Sequence, residues 1–552
     1  MQKQTKRASH SQKEFEHQLL MMLTEDMQPV ATVERSGFRK FCANMLPQYR
    51  LPSRRTLSRQ LEDLYQEHKA NLIEELKHVQ YVSVAADLWS SHKRGFLGLT
   101  VHYIDAERLE RVSHVLACRR FRHSHTGQQI AAVMAGIMDE FQLTSKVTAC
   151  ITDNAANMAK AVTLLDALCS SSSEGNTEDD DVQMINIHEM MQVDRDRRSD
   201  DSEEELDDEL PSMLRKQIRC ANHTLNLVAA VDSRAARSDD KYKRMYNRSM
   251  GKVQALSNAV NKSVKHADVV EDVVGVTFLN PTCTRWSSEF SAVSHIVVVG
   301  LEKVRDCQQK IGLAPLTESE MSFLKGFVQV MKPFAVAMEF LQGEKDVYLG
   351  HVIPTVMGIQ NKLCTMVVEA SMTPLLNAVS AGLKTRFRPV FEDKHYHLAS
   401  MLIPKFKLNY LPEAERRMKK LLLVQSVSLS AMDRQATTTT TSDHQASQMM
   451  SATDDDDLFA FVRHNASSES TTHVNTIDQE VDTYVNSLES TTSSLLQYPH
   501  LTSVFTKYNS ALPSGAAVER LFSCAGQILV PRRCKVSDDV FEKLVFLRYK
   551  LK

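Results

Sequence analysis

The chain has 552 residues, too many for one ordinary core, so two to four domains are expected. Apolar residues make up 43% and charged residues 24%, the range of a globular protein, and a net charge of −2 excludes a histone-like polybasic binder while leaving room for a local basic groove. Ten cysteines without a CxxC pair point to reduced thiols of the cytosol or nucleus, and no run of about 18 apolar residues offers a membrane span.

The basic start, Met1 to Arg7, lacks the apolar core of a secretory leader; it reads as an import signal or a solvated terminus. Residues 1–80 read as a helical module, with Phe15, Leu19, Met22 and Leu23 and then Leu61, Leu64, Tyr65, Leu72 and Leu76 at helical spacing. Pro47 and Pro52 break the run between them. The period changes at Tyr81. Tyr81–Asp87, Gly98–Ile104 and Arg111–Cys118 read as an antiparallel meander. A helix is expected over Thr126–Phe141, then a buried strand Val147–Asp153 and a helix from near Asn154. Residues 81–170 therefore predict the first part of an α/β core.

Residues 171–211 carry Glu178–Asp181 and Asp200–Glu205, few aromatics and many serines, and read as an acidic disordered loop. From 212 to 432 the pattern is helical, with long amphipathic runs at 316–342 and 352–386. A linker is expected over 433–475, with the threonine run Thr437–Thr441 and the acids Asp454–Asp457. The last part, 476–552, ends in two amphipathic helices that carry Leu521, Phe522, Leu544 and Leu547, with Arg532, Arg533 and Lys535 in the turn between them. Faces this apolar need a covering surface, either the chain's own core or a partner.

Asp87 and Asp153 each end an expected strand, the edge of an α/β sheet where sites form. Two such carboxylates with a third acid can hold a pair of divalent ions about 4 Å apart for phosphodiester chemistry. Oxygen ligands suit Mg²⁺ or Mn²⁺ rather than Zn²⁺. An Asp in this position is also a common helix cap or turn residue. Glu519, in the Pro513–Gly526 stretch, lies beside an apolar stripe of Val518, Leu521, Phe522 and Ala525 on a helix that Ser514 is expected to cap. It suits the role of third acid, or that of a first-turn Glu favoured by the helix dipole. Cys220 and His223 form a C-x₂-H pair with no second pair at finger spacing, which points to packing or a DNA contact rather than to zinc.

Five stretches occur in the order found in the hAT superfamily of transposases. They are Ala86–Ser91, Ile151–Asn157, Cys220–His223, Thr284–Trp286 and Ser514–Gly526. The sequence most resembles the domesticated, BED-finger-containing animal group, to which Ser36–Arg39 and Leu51–Thr56 are also similar. This resemblance implies an α/β RNase H-like core interrupted by a large all-α insertion domain, with an N-terminal helical module and a C-terminal helical dimerisation segment. It implies that Asp87, Asp153 and Glu519 stand at the catalytic, metal-binding positions. It implies DNA contacts from Trp286, Arg285, Cys220 and His223, with Trp286 at the place of an aromatic that stacks on a flipped base; Trp286 also reads as a core anchor. Leu521, Phe522, Leu544 and Leu547 take the dimerisation role. The paired Cys and His of a BED finger are not found in this sequence, and the tryptophan-bearing stretch before the final proline is missing. The expected function is therefore a domesticated nuclear protein that forms a homo-oligomer and acts in DNA or chromatin binding, with a zinc-finger protein as a possible partner. The alternative is an active transposase that cleaves and joins DNA with Mg²⁺ or Mn²⁺.

Overall fold

A computed structural model of the chain describes residues 11–91, 93–122, 125–170, 216–275, 278, 286–439, 469–529 and 536–550, with backbone only at 166–170, 287, 433–439 and 469–475. The expected acidic loop, Arg285, Arg532, Arg533, Lys535 and the middle of the expected linker lie outside these residues. The chain divides into two compact units. The first comprises residues 1–103, 112–218 and 515–552; the second comprises 104–111 and 219–514.

In the first unit, helices α1 (Gln12–Glu25), α2 (Ser36–Met45) and α3 (Arg54–Lys77) come first. Ser11 and Ser53 cap α1 and α3 by accepting the N–H of Glu14 and Thr56. Leu57, Leu61, Leu64, Tyr65, Leu72 and Leu76 form the buried stripe of α3, at the spacing read from the sequence. A sheet follows, built from β1 (Val82–Ser91), β2 (Arg94–Ile104), β3 (Arg111–Phe121), β4 (Val147–Thr152) and β5 (Lys216–Arg219). Its order is β3-β2-β1-β4-β5. β1 pairs antiparallel with β2 and parallel with β4, so the sheet is mixed. α4 (Gly127–Glu140), capped by Thr126, provides the crossover into β4, and α5 (Ala156–Ser170) follows β4. Two late helices, α18 (Ala516–Ile528) and α19 (Asp538–Lys550), complete the unit. An ion network holds α19: Arg119 donates to Glu542 at 3.1 Å and to Glu140 at 2.6 Å, and Lys69 donates to Glu140 at 2.9 Å.

The second unit is helical: α6 (Ala221–Ala230), α7 (Asp240–Lys262), α8 (Val264–Val274), α9 (Trp286–Val299), α10 (Leu301–Lys310), α11 (Glu318–Leu341), α12 (Val352–Thr365), α13 (Thr373–Glu392), α14 (Lys394–Met401), α15 (Glu413–Thr439), α16 (Glu469–Asn486) and α17 (Pro499–Asn509). A full capping box starts α11, with Thr317 and Glu320 bonding reciprocally. Glu320 is fully buried and is also held by Lys252 at 2.7 Å. Arg111 is buried. Its guanidinium donates to the carbonyls of Asn509 (2.6 Å) and Ser510 at the end of α17 and lies 5.1 Å from the Tyr348 ring centroid. Burial lowers its pKa to about 10. The expected linker is helical at both ends, because α15 runs to Thr439 and α16 starts at Glu469.

Candidate functional site

The acids are set by the sheet register. β1 and β4 are short apolar strands whose Val82, Val84, Ala85, Cys150 and Ile151 are fully buried or nearly so. Their parallel pairing ends at Ala85↔Ile151. Asp87 and Asp153 each lie two residues beyond that last pair, at the same step along neighbouring strands. Asp153 follows the end of β4, as expected. Asp87 does not end its strand: β1 continues to Ser91, because its antiparallel pairing with β2 runs on through Asp87↔Gly98 to Ser91↔Arg94. The expected end at Asp87 is thus corrected. What ends there is the parallel half of the pairing, which leaves a notch beside β1.

Glu519 reaches this place through Gly98. A Cβ built on Gly98 would stand 2.7 Å from the Phe522 ring and 2.9 Å from Val518 Cγ1, so only glycine lets α18 lie this close to β2. Trp89 stacks on Phe522 at 5.6 Å and tilts against Phe96 at 5.5 Å, holding the same helix on the sheet. The roles of Gly98 and Trp89 were missed from the sequence; the signal available was a glycine inside an apolar strand. Val518, Leu521, Phe522 and Ala525 are the buried stripe of α18, as expected, and Glu519 is exposed on its first turn. Ser514 does not cap this helix: its hydroxyl donates to Leu341 O at 2.9 Å, and the N-cap is Gly515, with no side-chain bond.

The half-buried Asp87 carboxyl is pushed up to about 7, first by burial, then by the Asp153 carboxylate and also by Glu519. A hydrogen bond from Leu88 N–H to Asp87 Oδ1 (2.8 Å) opposes the rise. Asp153 Oδ1 accepts from Ala155 N–H at 3.0 Å, the turn that leads into α5. The three acids are thus electrostatic neighbours. Even so, among the described residues no three His, Cys, Asp or Glu side chains are gathered as a metal shell. Hard carboxylate oxygens have the right chemistry for Mg²⁺ or Mn²⁺. Asp87 and Asp153 each direct one oxygen at local backbone.

The other expected site residues divide. Cys220 is buried as the N-cap of α6, its Sγ accepting from His223 N–H at 3.4 Å. Of the two expectations for Cys220, packing is the one that its burial and helix capping describe. The same stretch is tied down structurally: Asn222 donates to Met338 O at 3.0 Å, and Ala221 N–H to Pro513 O at 2.9 Å. His223 is half-buried on the first turn of α6. Trp286 is only 5% exposed, and its indole N–H has no hydrogen-bond partner among the described residues. It lines a cavity of about 280 Å³ with Arg234, Arg237, Tyr242, Tyr246 and Glu289. Arg237 lies 4.2 Å from the Tyr246 ring centroid, and Tyr246 donates to Glu289 at 2.6 Å. Leu521, Phe522, Leu544 and Leu547 are all buried in the first unit, at most 7% exposed. Of the two covering surfaces expected for the apolar faces of α18 and α19, the chain's own core is the one described here.

The ZBED1 RNase-like domain family matches residues 85–178, a stretch that contains both aspartates. A protein of Talaromyces stipitatus named as a transcriptional regulator, tpeD, is 28% identical over 168 residues, 29% of this chain and 19% of that protein. A Zea mays protein named as an AC transposase is 29% identical over 136 residues, 24% of this chain and 17% of that protein. Zinc finger BED domain-containing protein 4 of Homo sapiens is 19% identical over 96% of this chain and 43% of its own length. The chain thus spans less than half the length of these curated relatives. No helix among the described residues is long and apolar enough to cross a membrane. The ordered motifs, the mixed sheet and these likenesses together make the chain a hAT-transposase-derived protein related to the BED-finger group.

Proposed function

We propose that the chain is a domesticated hAT-transposase-like protein of the nucleus that acts on DNA or chromatin and does not move an element of its own. In this reading the mixed sheet with α4, α5 and α18 is an RNase H-like core. The helical residues 212–432 are an insertion into it, preceded by the module 1–80 and followed by the C-terminal segment 476–552. The observation that carries the reading is the state of the acids. Burial and two acidic neighbours raise the Asp87 carboxyl to about 7, Asp153 serves a backbone turn and Glu519 is exposed. A cutting centre needs these groups converged on metal, and among the described residues they are not gathered as a metal shell. Relatives named both as a regulator and as a transposase are consistent with descent from a transposase and a later change of use. DNA contact is assigned to the second unit, where the Trp286 cavity joins cations and aromatic rings suited to a base and its phosphate. A zinc-finger protein would supply sequence reading.

The alternative, a DNA-cleaving and joining transposase using Mg²⁺ or Mn²⁺, rests on Asp87 and Asp153 standing at the same step of adjacent strands. One experiment separates the two. Full-length protein is incubated with labelled duplex and Mn²⁺, and binding is followed by anisotropy at several salt concentrations. The expected result is salt-dependent binding, equal in wild type and Asp153→Asn, without nicks or hairpins. An Asp153-dependent cleavage product would overturn the proposal in favour of the alternative.

A further inference from the structure

The cavity beside Trp286 has polar groups of two opposite kinds. Tyr242 and Tyr246 lie four residues apart on α7, and Trp286 and Glu289 three apart on α9, so each pair shares one helix face, and all four line the cavity. Arg234 and Arg237 are in the same lining, and Arg237 lies 4.2 Å from the Tyr246 ring centroid. Tyr246 donates its hydroxyl proton to Glu289 Oε1 at 2.6 Å. Burial, and then the Glu289 carboxylate, pushes this phenol up, so Tyr246 stays the donor and Glu289 the acceptor. A carboxylate has about four lone-pair sites, and this bond uses one of them. The walls thus combine guanidinium donors, a carboxylate acceptor and aromatic rings around one space. At about 280 Å³ that space is at the small end for ligand cavities, which suits one nucleotide rather than a stacked run.

A carboxylate discriminates among the four bases because it can only accept. Guanine offers it two adjacent donors on the Watson–Crick edge, N1–H and the N2 amino group. Adenine and cytosine each place one donor beside a ring nitrogen whose lone pair a carboxylate repels. Thymine sets its single N3–H between two carbonyls. The other edge of guanine carries O6 and N7, the acceptors that arginine binds in bidentate fashion. One base therefore matches both kinds of polar group. We propose that the cavity is a guanine site in which Glu289 accepts from N1–H and the N2 amino group, arginine donates to O6 and N7, and the aromatic rings flank the base. The Watson–Crick edge has to be free, so the ligand is a guanine left unpaired in a strand or a free guanine nucleotide; the recognised chemistry is the same. The guanine site rests on the DNA contact assigned to this cavity and adds the identity of the base.

The test uses the full chain and four labelled duplexes that differ only in one bulged base, followed by anisotropy at fixed salt. The guanine bulge should bind roughly tenfold tighter than the adenine, cytosine and thymine bulges. Glu289→Gln keeps an oxygen for Tyr246, so the melting temperature should stay that of wild type. Its amide presents one donor and one acceptor, so the variant should lose the guanine preference and favour the adenine or cytosine bulge. A merely structural Glu289 would not move that preference. Free guanosine monophosphate is titrated separately by calorimetry up to about 10 mM, with adenosine monophosphate as control, and should bind at least tenfold more tightly than the control. Guanine-bulge preference without heat from the free nucleotide would assign the strand as the source. Binding of the free nucleotide alone would keep the guanine site and sink the DNA reading. Four bulges bound equally would overturn the guanine site and leave the DNA reading standing. A guanine preference that survives Glu289→Gln would overturn the role of Glu289, and no binding in either arm would overturn both.

Discussion

Replacing Asp87 by Asn tests the electrostatics of the notch directly. The amide keeps an oxygen for the Leu88 N–H and removes the charge that burial, Asp153 and Glu519 oppose. The folded carboxyl titrates at about 7, against an ordinary value of 3.8. A group whose acidity is weakened by folding contributes stability that is fully present below its unfolded pKa and lost as pH rises through its folded pKa. Wild type should therefore lose stability relative to Asp87→Asn from about pH 4 to pH 7 and run parallel to it above that. At about 1.4 kcal/mol per pH unit the full effect is roughly 4 kcal/mol. A half-buried carboxylate recovers part of its hydration, so about 1–3 kcal/mol is expected. The assay is urea unfolding of both proteins at pH 5 and pH 8, followed through Trp89 in a Trp286→Phe background. The variant should gain about 1–3 kcal/mol at pH 8 and roughly a third of that at pH 5. An equal difference at the two pH values, or a variant less stable at pH 8, would refute the reasoning.

Two further substitutions probe how the units are held. Gly98→Ala places a methyl group within 2.7 Å of Phe522 and should cost about 1–3 kcal/mol by urea unfolding, with a red shift of Trp89 emission as α18 lifts. A cost below about 0.5 kcal/mol would show that α18 does not rest on β2 there. Arg111→Met should cost at least about 3 kcal/mol, because the carbonyls of Asn509 and Ser510 would stay buried without a donor. Limited proteolysis should then cut the second unit at a concentration of protease that leaves wild type intact, and equal resistance would count against that role.

Much of the sheet was legible in the sequence because β-branched runs and acids punctuate it. Val82–Ala86 and Val147–Ile151 are short, apolar and bounded, so their strands and burial could be read directly. The length of β1 could not. Leu88–Ser91 is held by pairing with Phe96, Gly95 and Arg94, a partner effect that local composition does not carry. Cys220 shows the same limit: C-x₂-H spacing is compatible with a metal ligand, a DNA contact or a cap, and only the fold shows that Sγ faces the N–H of His223. Leu521, Phe522, Leu544 and Leu547 revealed their amphipathic helices plainly. Periodicity fixes which face is apolar and says nothing about whose core covers it.

The first unit draws its last piece, residues 515–552, from the far end of the chain. During synthesis at about 5–20 residues per second, the sheet emerges roughly half a minute before α18 does. For that interval Gly98 and the rings of Trp89 and Phe96 lack the helix that finally covers this face of β2. Loop closure across several hundred residues must then bring the helix home. The nascent chain is therefore a client for chaperones that hold exposed strands, and a premature stop anywhere before Gly515 yields a protein without Glu519 and with a sticky, half-dressed sheet. Cells expressing such a truncation should clear it quickly.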